Sequence, residues 1–253
     1  MSRARALFLG LLAPLTLGQA KPQLVPDVSQ SQIEIRYSFT GAQLLLFGAI
    51  IYPGGRVPRG DAHIAVVVKG PTERIVVREK QKVAGIWMNV ESARFRSAPA
   101  FYAVASSRPL SEIIDERTAA IYELGLDSLQ LSPGSGKSAE VQRRFEAGLV
   151  EQKRAAGLYV ELPRGVEIRQ GVLYRAQIDI PARVPVGEYT AETFLIRDGR
   201  VVSGEVREIQ IEKFGFERFV ATAAERWSLA YGLAAVLVSV LLGWAGSAVV
   251  PRR

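Results

Sequence analysis

His63 is the only histidine in a chain of 253 residues, and cysteine is absent. Those two counts exclude a histidine-rich metal site, thiolate zinc or iron–sulfur centres, cysteine nucleophiles and a disulfide scaffold. A nucleophilic or acid–base triad would have to be built on His63. That residue sits two positions after Asp61 at the start of an apolar run, where the plain expectation is a strand-edge residue. The acidic pairs Asp115 with Glu116 and Glu161 with Glu167 could perform glycosidase chemistry only if folding set their carboxylates at a catalytic separation. A solvated charged face is the simpler expectation for them. Pro133-Gly134-Ser135-Gly136-Lys137-Ser138 ends like a phosphate-binding loop, but Leu131 stands where the first glycine belongs and a helical stretch precedes it. We read it as an interhelical loop, and expect no nucleotide, metal or other cofactor and no catalytic residue.

Arg78, Trp87 and Asn89 are candidates for binding, because arginine forks and large aromatics are what recognition surfaces use. The competing role for Trp87 is burial in a β core. Ala235, Ser239, Gly243 and Ser247 recur every four residues in an apolar stretch, a stripe along which another helix could pack closely in a membrane.

The elements that must carry these residues follow from the pattern around them. Residues 1–20 pair Arg3 and Arg5 with an apolar run from Ala6 to Leu17 and small residues Gly18 and Ala20, the layout of a secretory signal. No charge occurs from Trp227 through Pro251, which predicts one transmembrane helix over 228–250 with Arg252 and Arg253 behind it. The export signal would put residues 21–226 in the periplasm and 251–253 in the cytoplasm. Four of the 32 Lys+Arg lie in these end segments, and the remaining 28 stand against 25 Asp+Glu, too even a balance for a nucleic-acid binder.

Between the ends, short β-favouring runs alternate with turn residues, from Ile33–Phe39 through Phe101–Ser106. Leu44 to Ile51 is apolar throughout and suits a strand covered on both faces. Helical patterns occupy about 109–156, with Ser138 as an N-cap and Gly157 as a stop. Strand signals resume at Val166, and Tyr189 follows a Pro/Gly corner as in sandwiches that pin a crossover with a tyrosine. The predicted class is therefore mainly β: an immunoglobulin-like antiparallel β-sandwich over 21–213 with a helical insertion, a helical stalk over 214–227, and one transmembrane helix. Two small β domains joined by a helical linker is the rival arrangement.

Several ordered segments carry a family resemblance. They are Val67-Val68-Lys69-Gly70-Pro71, Val76 to Lys80, Val83 to Asn89, Phe101 to Leu110, Pro181 to Gly199, Tyr231-Gly232-Leu233 and Gly243-Trp244. In these the chain resembles the alphaproteobacterial putative transmembrane protein family. The resemblance implies a membrane-anchored bacterial protein and brings no catalytic residues with it. The expected role is a non-enzymatic accessory or assembly subunit beside another inner-membrane protein, such as a transporter. The alternatives are a periplasmic module that binds an anion or a glycan, and an envelope hydrolase.

Overall fold

The computed structural model describes residues 21–35, 41–57, 61–134, 136–213, 220 and 223–249. The expected signal segment 1–20, most of the expected stalk 214–227 and the expected tail 251–253 lie outside them.

Thirteen strands account for about half of the described residues. β1 (Gln23–Val28), β3 (Gly41–Ile51), β11 (Leu173–Pro181) and β10 (Val166–Arg169) form one sheet, in that order. A second sheet runs β2 (Gln32–Ile35), β13 (Arg200–Lys213), β12 (Gly187–Arg197), β4 (His63–Lys69), β7 (Tyr102–Ser106) and β9 (Tyr159–Pro163). The two sheets face each other across one core. Leu44, Leu46, Ile178 and Ile180 from the first meet Ile64, Val66, Tyr189 and Leu195 from the second, each at most 2% exposed. Because β3 pairs with β11 and β4 with β12, strands from both ends of the sequence interlock in each sheet. Tyr189 is buried, and its hydroxyl donates to the Pro185 carbonyl at 2.7 Å, tying down the proline-rich corner that feeds β12.

β4 is covered on both faces, as is its neighbour β7. Ile64, Val66 and Val68 point into the core between the sheets, while Ala65 and Val67 point into a second apolar cluster with Tyr102, Ile113, Leu124 and Phe194. The chain from β7 to β9 supplies that cover: α1 (Leu110–Ile113), α2 (Glu116–Tyr122) and α3 (Ala139–Ala155), with β8 (Ser132–Pro133) before α3. The expectation that Leu44–Ile51 is covered on both faces is corrected, since Phe47 and Ile51 on β3 are exposed. Among the described residues no helix covers the outer face of that sheet, so apolar sequence there did not mean double burial.

The expected fold class is corrected in two respects. The sheets are not purely antiparallel: β2 runs parallel to β13 and β9 parallel to β7. The two-sheet arrangement does not confirm the immunoglobulin-like assignment, which is not carried forward. The transmembrane helix is overturned as well. The C-terminal segment is helical, α4 (Ser228–Val249), but among the described residues no helix is long and apolar enough to cross a membrane. Side chains of α4 are described only through Trp244.

Candidate functional site

β5 (Thr72–Val83) and β6 (Ile86–Pro99) form a long antiparallel hairpin in a sheet of their own with β8. Its two-residue turn is Ala84-Gly85, both left-handed with φ of 50° and 86°, the backbone that matches the twist of a tight hairpin. Gly85 adopts this conformation freely, whereas Ala84 is strained in it.

The base of the hairpin is fixed and its tip is bare. Val77, Ala93 and Phe95 bury one face against Phe145 and Leu149 of α3. Around that contact Arg144 of α3 reaches Glu91 at 2.6 Å and Glu79 at 3.1 Å, and Lys137 reaches Glu91 at 2.7 Å. These cations hold the Glu91 carboxyl below its ordinary range, the Lys137 hydrogen bond contributing most. From residue 80 to 90 every side chain is exposed, including Ile86 at 71%, Trp87 at 67% and Met88 at 50%.

Alternation along the strands separates the charges. Glu79 and Glu91 are cross-strand partners on the side turned to α3, where their cations wait. On the opposite face Arg78 pairs with Ser92, Lys80 with Asn89, Lys82 with Trp87 and Val76 with Arg94, and Arg96 follows on the same side. All of these are exposed. Among the described residues none of Arg78, Lys80, Lys82, Arg94 or Arg96 is ion-paired with a carboxylate in the structure. The structure thus brings the three binding candidates Arg78, Trp87 and Asn89 onto one outward face, and Trp87 is not a core residue. Reading β5 and β6 as separate short strands hid Lys80, Lys82, Arg96 and the apolar tip. The signal was present in Arg78-Glu79-Lys80-Gln81-Lys82, whose basic residues alternate, and in the glycine turn between Val83 and Ile86.

Three clefts lie elsewhere, and none is lined by Arg78, Trp87 or Asn89. The best formed, of about 600 Å³, lies between β7, β9 and the α1–α2 segment and is acidic, with Asp115, Glu116, Asp127 and Glu161 at its wall. Two of these carboxylates already have structural work. Asp115 caps α2 by accepting from the Thr118 amide at 2.7 Å, which holds its carboxyl below the ordinary range. Glu161 accepts from the Leu126 amide at 2.6 Å. Glu167 lies apart from Glu161, bound by Arg169 and Arg175 at 2.8 and 2.7 Å, so that pair is not brought together. Behind the cleft wall at Gly125, the buried Tyr102 hydroxyl donates to the Glu123 carbonyl at 2.7 Å and accepts from the Gly125 amide at 2.9 Å. Burial raises the Tyr102 phenol well above its usual value, so it stays protonated as this donor.

His63 has a hydroxyl beside it: Nδ1 lies 3.4 Å from Ser107 Oγ, and that oxygen accepts from the Ile64 amide at 3.3 Å. Partial burial lowers the imidazole below 6.5, opposed by the charge of Asp61. Neither residue lines the acidic cleft, and Asp61 is directed to Arg108 at 3.8 Å. Lys137 of the phosphate-loop look-alike is committed to Glu91. Among the described residues no group of three His, Asp or Glu side chains is placed to hold a metal ion.

On α4, Ala235, Ser239 and Gly243 fall on one side, while the side chain of Ser247 lies outside the described residues. Ser239 Oγ donates back to the Ala235 carbonyl at 2.8 Å, so its polar group is satisfied within the helix. A Cβ at Gly243 would meet nothing within 4 Å. Leu229, Leu233, Val236, Leu237, Leu241 and Leu242 are each at least 60% exposed.

Residues 23–252 match the model of a family described as putative transmembrane protein (Alph_Pro_TM). A search of curated proteins found no match.

Proposed function

The chain belongs to that putative transmembrane protein family, and on that footing we propose that it is a membrane-held accessory or assembly subunit, without catalytic activity of its own, that serves another membrane protein. The observation that carries this reading is α4, whose leucines and valines are exposed all round. Such a surface has no stable place in water, and a contiguous apolar patch of that extent marks a contact with lipid or with another protein. We place the β body on the exported side of a bacterial inner membrane, which rests on the basic, apolar and small-residue pattern of residues 1–20.

Small residues on a helix face let the backbone of another helix approach closely. Ala235, Ser239 and Gly243 offer that approach, with the Ser239 hydroxyl already bonded to its own helix. Gly243→Leu would fill the stripe at a position where an added Cβ meets nothing within 4 Å. We expect it to leave the protein in the membrane fraction and to weaken recovery of a copurifying membrane protein, while Val238→Leu leaves recovery unchanged. Capture from native membranes in mild detergent measures both. Equal recovery with the two variants contradicts the α4 packing role.

A further inference from the structure

We propose that the outward face and tip of the β5–β6 hairpin dock onto the surface of an anionic phospholipid bilayer. The argument rests on the reading that the chain is held at a membrane, and adds where its β body touches that membrane.

Three observations point to this occupant. The cations Arg78, Lys80, Lys82, Arg94 and Arg96 lie on one exposed face, while Glu79 and Glu91 are turned to the other and held by α3. Strand alternation therefore produces a face of one sign in a chain whose charges are otherwise nearly balanced. Beyond the cations the hairpin ends in Val83, Ile86, Trp87, Met88 and Val90, each between 45% and 71% exposed. A basic face leading to an apolar tip with a tryptophan matches the order of a bilayer's layers, anionic headgroups first and acyl chains behind them. Third, the face lines none of the three clefts described above. Small ligands are bound in hollows that enclose most of their surface, so an exposed charged face outside those clefts suits an extended partner. The hairpin is also braced at its base by Phe145 and Leu149, so little ordering is needed when the tip docks.

The chain has no cysteine, so a single one can be introduced and labelled in the full-length protein. The probe is an environment-sensitive dye on Met88→Cys, with Glu208→Cys, exposed on β13, as the reference position. Each labelled protein is mixed with vesicles of phosphatidylcholine alone or of phosphatidylcholine with phosphatidylglycerol, and its flotation is followed in parallel. We expect a blue shift at position 88 with the anionic vesicles only. It should be reversed in about 1 M salt, where charges are screened beyond ~3 Å. The triple change Arg78→Glu, Lys80→Glu, Lys82→Glu should abolish it, with flotation kept. The reference position should not shift. Flotation without any shift at 88 overturns the docking face, whatever protein can be crosslinked there, and so does an equal shift at 88 and 208. A chain that floats with neither vesicle type overturns the reading of a membrane-held protein instead.

Discussion

At the scale of single residues, His63 makes the clearest pH statement. Its imidazole is held below 6.5 in the folded chain, chiefly because partial burial penalises the charged form. Unfolding releases it to the ordinary value, so below pH 6.5 the unfolded state takes up the proton first and stability falls as pH falls through that window. Above 6.5 both states are neutral and the residue contributes no slope. The carboxylates held low, Glu91, Asp115 and Glu167, act only at lower pH, nearer their ordinary values of 4.5, 3.8 and 4.5. We therefore expect the wild-type chain to lose melting temperature between about pH 7 and 5.5, and His63→Gln to flatten that loss. Thermal melts across this range measure it, and parallel slopes for the two proteins would remove His63 as the cause. The same residue shows how far sequence reaches: its strand-edge position was legible, whereas Ser107 lies 3.4 Å away only because β4 and β7 pair.

Among the elements, the hairpin and its brace are the pair whose coupling matters. Phe145 is 4% exposed and packs with Leu149 against Val77, Ala93 and Phe95. Removing its ring leaves a cavity, and Phe→Ala in a core costs ~3–5 kcal/mol. We expect Phe145→Ala to lower unfolding free energy by about that amount or somewhat less, since the site lies at the edge of the fold. Protection of the β5 and β6 amides from hydrogen exchange should fall before that of β4 and β12, which lie in the two-sheet core. Uniform loss across all strands would mean that the hairpin has no independent weak link. Much of this element was readable, because Val76–Lys80 and Val83–Asn89 show strand composition and Ala84-Gly85 shows turn chemistry. Their union into one arm was not, since pairing across a turn sets register and a bulge near Glu79 shifts which β6 side chains share a face. β1 escaped notice because Pro26 interrupts its pattern, which an edge strand tolerates. The double cover of β4 was equally hidden, because it depends on where α1 and α2 settle.

For the whole molecule, the account joins a two-sheet β body to an apolar helix that no described part of the body covers. Composition alone pointed to the membrane, and the family match over residues 23–252 agrees with it. The expected crossing by a single helix was read from an uncharged run of sequence, and among the described residues no helix is long and apolar enough to make it. The surface remains: Leu237 and Leu241, four residues apart on one side of the helix, are exposed at 62% and 60%. Lysine at such positions carries ~2.5–3.5 kcal/mol against lipid per residue, and burdens the water-soluble fold little because neither side chain is buried. The most direct measurement is flotation of the full-length chain with phospholipid vesicles, compared with Leu237→Lys, Leu241→Lys. The account predicts that the wild-type chain rises with the vesicles and stays with them in about 1 M salt, and that the double variant remains at the bottom of the gradient. A wild-type chain that stays at the bottom, or a double variant that rises equally, would contradict it.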